Sequence, residues 1–151
     1  MLTVRDLLSR KQNNTVSIHP NQTVYQALNM MASYDIGALL VVEGRELLGI
    51  FSERDYARKL SLKGKNENNT LVGEVMARQL TVVTHEDTVE SCMKLMTDRH
   101  IRHLPVLQED KLVGIVSIGD VVKGIIDQQK ATINNLESYI SGGYLQQNTV
   151  Q

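Results

Sequence analysis

The chain has 151 residues, 42% of them hydrophobic, enough apolar material for one compact domain or two small ones sharing a core. Its 16 Lys and Arg against 17 Asp and Glu leave a net charge of −1, which removes any global electrostatic basis for holding nucleic acid. No apolar run approaches the length of a membrane span, the N-terminus MLTVRDLLSRK lacks the apolar core of a signal peptide, and the one cysteine, Cys92, has no internal disulfide partner; together these point to the cytoplasm and away from a membrane.

In chain order, Thr3 and Asp6 have capping-box spacing for a short helix over 3–9, with Val4, Leu7 and Leu8 on its apolar side. A polar break over 11–14 leads into a short β-branched strand at 15–18 and a turn at His19-Pro20-Asn21. Thr23, with Gln26 in the N3 position, caps a helix that buries Val24, Ala27, Leu28 and Met31 and ends over 35–37. Residues 38–42 form a nearly continuous apolar run, as in a strand covered on both faces; 43–45 turn the chain, and 47–51 return it as a hairpin. Ser52 opens a helix to about Leu60, Gly64 is the nearest residue able to stop it, and the polar linker 63–69 follows.

The scheme then repeats. Residues 70–76 match the opening helix, 80–83 the strand entry, and Val89, Cys92, Met93 and Met96 the helical face. Residues 103–107 and 112–116 are the paired strands, and Ser117 opens the last helix. Gly49, Ser52 and Asp55 recur without a gap as Gly114, Ser117 and Asp120. The unit is β-α-β-β-α, twice. The fold class is α/β (α+β), two pseudo-symmetric motifs packed into one module and followed by a long helix. We divide the chain at 1–64, 65–126 and 127–151. Val122, Ile126, Ile133, Leu136 and Ile140 lie near heptad spacing, interrupted by Gln129, so the last helix packs either on its own module or on a second chain. Gly142-Gly143 is the expected stop, with a loose tail over 144–151.

Ser52 and Ser117 stand where a strand becomes a helix. Unpaired N–H groups and the partial positive charge of a helix start suit a phosphate, to which the serine hydroxyl can also donate. Asp55 and Asp120 follow in the first turn, where a carboxylate can accept both hydroxyls of a ribose. The same Ser-x-x-Asp spacing also makes a capping box, so ligand contact and self-capping compete for these residues. Gly49 and Gly114 admit a close backbone approach or mark a bulge. Arg54 suits a phosphate in the first repeat; the second has Ile118-Gly119 in that stretch and needs a cation from elsewhere, with Arg102 the candidate.

A duplicated β-α-β-β-α unit closing on Gly-Ile-Phe-Ser-Glu-Arg-Asp (49–55) and Gly-Ile-Val-Ser-Ile-Gly-Asp (114–120) resembles the CBS domain, named for cystathionine β-synthase. Two in tandem resemble a Bateman module. The stretches 34–55 and 100–120 carry the resemblance, which extends over about 2–126. It implies a stand-alone, non-catalytic regulatory module whose clefts bind adenosine-containing ligands: AMP, ADP, ATP, NAD(H) or S-adenosylmethionine. It implies adenine contacts around Val16, Ile36 and Ala38 in the first repeat, and around Thr81, Val82, Arg102, His103 and Pro105 in the second. Pro105 fits the family pattern, whereas the first repeat has Leu40 in its place, so two unequal sites are expected. The resemblance also implies a homodimer and a regulated partner protein. The alternative is an interaction subunit with vestigial clefts that binds its partner through the C-terminal helix.

Other chemistry is thin. His100 and His103 have no evident third ligand for a metal, Cys92 lies on an apolar helical face, and no nucleophile elbow, Walker loop or GxGxxG occurs.

Overall fold

The computed structural model describes residues 1–11 and 15–150, with the side chains of 143–150 left aside. Part of the expected polar break, including Asn13, and Gln151 therefore lie outside the described residues.

Three threonines start helices through their own side chains. The Thr3 hydroxyl accepts from the Asp6 N–H and opens α1 (Val4–Ser9); Thr23 does the same with Gln26 for α2 (Val24–Tyr34). Between them, β1 (Ser17–Ile18) is the expected strand entry. Helix α2 ends on Asp35 in the left-handed conformation, φ 52°. The hairpin follows as β2 (Ala38–Glu43) and β3 (Glu46–Ser52), with β1 parallel to β2 at its other edge. Ser52 caps α3 (Glu53–Asp55), which widens at once into a π-helical stretch, Tyr56–Ser61. Gly64, at φ 66°, stops it, as expected.

In the second half α4 (Val72–Val75) is the short helix, and Thr88 caps α5 (Val89–Arg99), which ends on left-handed His100. The antiparallel pair β4 (His103–Gln108) and β5 (Lys111–Ser117) forms the second sheet. The strand entry expected over 80–83 is reduced to one parallel bridge, Val83 to Val106, in which the Val83 N–H donates to the Pro105 carbonyl. Helix α6 runs Ile118–Val150. It does not stop at Gly142-Gly143. A glycine stops a helix by turning to positive φ, and among the described glycines only Gly44 and Gly64 do so.

The two cores exchange their opening helices. Val72, Val75 and Met76, around α4, pack with Ile18, Val24, Met31, Leu39 and Phe51 of the first repeat. Val4 and Leu7 of α1 pack with Val83, Val89, Cys92, Leu104 and Val116 of the second. Main-chain hydrogen bonds fix each exchange: Val4 N–H to Asp87 O at 2.8 Å, and Val72 N–H to Gln22 O at 2.9 Å. Each buried valine or leucine is worth about 1.5–3 kcal/mol of transfer free energy, so either short helix is held by its adopted core rather than by its own length.

The recurring glycines serve this packing. A Cβ on Gly49 would lie 2.7 Å from both the Ala77 carbonyl oxygen and the Met76 sulfur, and one on Gly114 would lie 2.9 Å from Leu8 Cδ2. Each glycine also pairs beside a strand irregularity, between Val41 and Val42 in the first sheet and between Val106 and Leu107 in the second. Close approach and bulge thus coexist, and the approaching groups include the chain's own short-helix segments.

Candidate functional site

The helix starts after β3 and β5 are built alike. Ser52 N–H donates to Asp55 Oδ2 at 2.9 Å, and Ser117 N–H donates to Asp120 Oδ2 at 2.9 Å. In return the Asp55 and Asp120 N–H groups donate to the serine Oγ atoms, at 3.2 and 3.1 Å. The next amides are also engaged: Glu53 N–H donates to Gly37 O, and Ile118 N–H to Arg102 O. The capping reading of Ser-x-x-Asp is therefore realised in both repeats.

What each serine and aspartate has left differs. Ser52 Oγ–H donates to Asp55 Oδ2 at 3.0 Å, and Lys59 Nζ stands 3.1 Å from Asp55 Oδ1, so both oxygens of Asp55 are engaged. The Lys59 ammonium also donates to Val75 O at 2.8 Å. Asp120 concentrates its bonds on Oδ2, which takes Ser117 N–H and, at 2.9 Å, Lys11 Nζ. Asp120 Oδ1 has no protein partner among the described residues. A free carboxylate oxygen is what a ribose hydroxyl requires.

Asp120 faces a cavity of about 890 Å³ between the repeats, a size that suits a nucleotide. Val16, Ile36 and Ala38 line it from the first repeat, together with Met30 and Tyr34. His103, Gly114, Ser117 and Asp120 line it from the second. Leu8 and Lys11 close it from the segment ending α1. The cavity thus joins the apolar group expected in one repeat to the Ser-x-x-Asp of the other.

Ser52, Arg54, Asp55, Thr81, Val82, Arg102 and Pro105 do not line this cavity. Arg54 reaches across the repeats to the His100 carbonyl at 3.2 Å, and the Thr81 hydroxyl accepts from Arg99 at 3.3 Å. Pro105 is buried within β4, whereas Arg102 is exposed. The cation beside Asp120 is Lys11 rather than Arg102. Sequence reasoning does not single out Lys11. A lysine after a short helix carries no local sign of where it will point, and Asp120 is 109 positions away.

The electrostatics follow this geometry. Burial raises the Asp120 carboxyl, but hydrogen bonds from the Ser117 backbone, Lys11 and the Ser117 hydroxyl, with the Lys11 charge, outweigh it and hold the group below its ordinary value of 3.8. Burial, reinforced by Lys11, pushes His103 below 6.5, so it is neutral at pH 7. Among the described residues no cluster of three His, Cys, Asp or Glu could hold a metal ion, and no helix is long and apolar enough to cross a membrane.

These features define a tandem module with a ligand-sized cleft between its repeats. The CBS domain family model matches residues 4–62 and 72–127, and the chain belongs to the CBS-domain family. It is 42% identical over 129 residues to the mitochondrial CBS domain-containing protein CBSX3 of Arabidopsis thaliana, covering 82% of this chain but spanning only 63% of that relative. It is 31% identical to CBS domain-containing protein YhcV of Bacillus subtilis, covering 87% of this chain and 91% of the relative. A solved CBS-domain structure, NE2398, is 45% identical with a TM-score of 0.79, covering 82% of this chain and 97% of its own.

Proposed function

We propose that the chain is a non-catalytic regulatory module that binds an adenosine-containing nucleotide, AMP, ADP, ATP or NAD(H), and acts as an energy or redox sensor in the cytoplasm. The observation that carries this reading is the cavity in which apolar Val16 and Ile36 face the Ser117 hydroxyl and the free Oδ1 of Asp120. Apolar walls bury a base, Asp120 Oδ1 accepts from a ribose, and Ser117 Oγ–H donates to a phosphate. Occupancy changes the module only to the extent that the ligand binds one arrangement of the repeats better than another.

The second site expected around Ser52, Arg54, Asp55, Thr81, Val82, Arg102 and Pro105 is the weaker one in this reading, because Asp55 has both oxygens engaged. Calorimetric titration of AMP, ATP, NAD and NADH into the full chain tests both statements. Asp120→Ala is expected to abolish the tighter binding event, with Asp55→Ala affecting a weaker one or none. Failure of folded, nucleotide-free protein to bind any of them would reject the reading.

A second reading has its own support. Helix α6 carries Ile133, Leu136 and Ile140 at 53%, 56% and 66% exposure, so its heptad stripe is uncovered by the module. We assign this stripe to homodimer formation, since isoleucine at one core position and leucine at the other suit a two-stranded coiled coil. A regulated partner protein docking there is the alternative, and would make the chain an interaction subunit.

A further inference from the structure

Resting on the homodimer reading of α6, we propose that two copies pair through α6 in parallel, as a two-stranded coiled coil in which Gln129 meets Gln129 and sets the register. Residues 129–141 of α6 are all exposed. A helix with no packed face is marginal in water, so this stretch needs a second surface. The stripe that provides it is continuous. Ile126, Ile133 and Ile140 take the a positions of successive heptads, and Val122, Gln129 and Leu136 take the d positions. The apolar members are between 43% and 66% exposed. Val121 is buried and Gly124 packs beside Leu7 and Leu2, so the module-facing side of α6 lies off the stripe. A second helix can therefore cover the stripe without displacing the module.

The chemistry of Gln129 decides the orientation. Parallel helices set each core position against its own copy, whereas antiparallel helices set an a position against a d position. The a positions among the described residues are all isoleucine, so an antiparallel pair would bury the Gln129 amide against an isoleucine and leave it unpaired. In a parallel pair the two amides meet, and each can donate to the carbonyl oxygen of the other. The flanking charges do not oppose this. Lys130 then lies beside Ile125 of the second copy and Glu137 beside its Thr132, so like charges never face each other. An antiparallel pair would instead bring Lys130 toward Glu137. Exposed ion pairs return less than two buried, unpaired amides cost, so the parallel arrangement prevails.

Parallel pairing places both modules at the same end of the coil. The first turn of α6 carries Asp120, which lines the inter-repeat cavity, and the seam begins two residues later at Val122. The two cavities therefore sit together at the base of the paired helices.

Cysteine cross-linking of the full chain tests the arrangement, with Cys92 buried and out of reach. Ile126→Cys and Ile140→Cys, each made alone, are expected to form a disulfide with their own copy under mild oxidation, because a parallel seam sets identical positions side by side. Gln129→Glu and Gln129→Lys give a second readout that needs no disulfide. Each alone puts like charges in the seam and should weaken dimer formation by about tenfold or more in light scattering, whereas an equimolar mixture should restore it. Melting curves of dilute protein check that each variant is folded. A wild-type dimer in which neither cysteine variant cross-links, or which both Gln129 variants leave intact, would overturn the parallel arrangement while keeping the homodimer. A wild type that stays monomeric at high concentration would reject the homodimer reading itself, and the arrangement with it.

Discussion

Asp55 and Asp120 occupy the same place in the two repeats, yet each is neutralised by a lysine of different origin. Lys59, four residues on in the same helix, stands 3.1 Å from Asp55; Lys11, from the far end of the chain, stands 2.9 Å from Asp120. The first pairing engages Asp55 Oδ1 within one helical turn, while the second draws an N-terminal residue into the cleft. Repeated sequence has thus produced two unequal helix starts.

Both serines act first as caps. Ser52→Ala and Ser117→Ala should each destabilise the protein by about 0.5–2 kcal/mol, since each removes the acceptor of an aspartate N–H. Chemical denaturation of the ligand-free protein measures this. No change for either variant would show that the helix starts do not depend on the hydroxyl.

The two recurring glycines should respond unequally to a methyl group. At Gly49 the new Cβ would meet a backbone carbonyl oxygen, that of Ala77, at 2.7 Å; at Gly114 it would meet the tip of Leu8 at 2.9 Å. A side-chain tip can move aside more easily than a carbonyl bonded to β3, so Gly49→Ala should cost about 1–3 kcal/mol and Gly114→Ala less. Paired melting curves give the order, and the reverse order would contradict this account.

Acid should weaken the fold in two stages. His103 has its folded pKa below 6.5 because it is buried, so the unfolded chain takes up the proton first as pH falls through 6.5. Stability due to neutral His103 is present above that value and declines below it until the folded form also protonates. Asp120 adds a loss at lower pH, because its lowered carboxyl contributes above 3.8 and stops contributing as pH falls through its folded value. His103→Gln should flatten the first stage and leave the second, as read from melting temperature against pH.

Cys92 should be inert in the folded protein. It is fully buried, and desolvation pushes its thiol up to about 11, so little thiolate exists at pH 8. A colorimetric thiol reagent should titrate it only after denaturant is added. Rapid native labelling would mean that the second core opens readily.

The α6 stripe should govern assembly without governing folding. Ile133→Lys with Leu136→Lys, at positions already more than half exposed, should convert a dimer to a monomer by light scattering and leave the melting temperature of dilute protein nearly unchanged. A wild type that is monomeric at high concentration would remove the homodimer and favour a different partner for this face.

Local signals in the chain are enough to read the capped helices at Thr3 and Thr23, the two hairpins, the buried face of α2, that of α5 except for Met93, which is exposed, and the stop at Gly64. Each depends on residues a few positions apart, where spacing alone decides which groups meet. The duplicated Ser-x-x-Asp is legible too, but not the choice between cap and ligand, which turns on which oxygens and protons remain unpaired. The exchange of α1 and α4 between the cores, and the meeting of Lys11 with Asp120, belong to the tertiary structure. Two repeats with the same local pattern offer the same apolar surface to either short helix. Connectivity and packing select between them, and only that selection carries Lys11 across 109 positions to one carboxylate and leaves the other to its own helix.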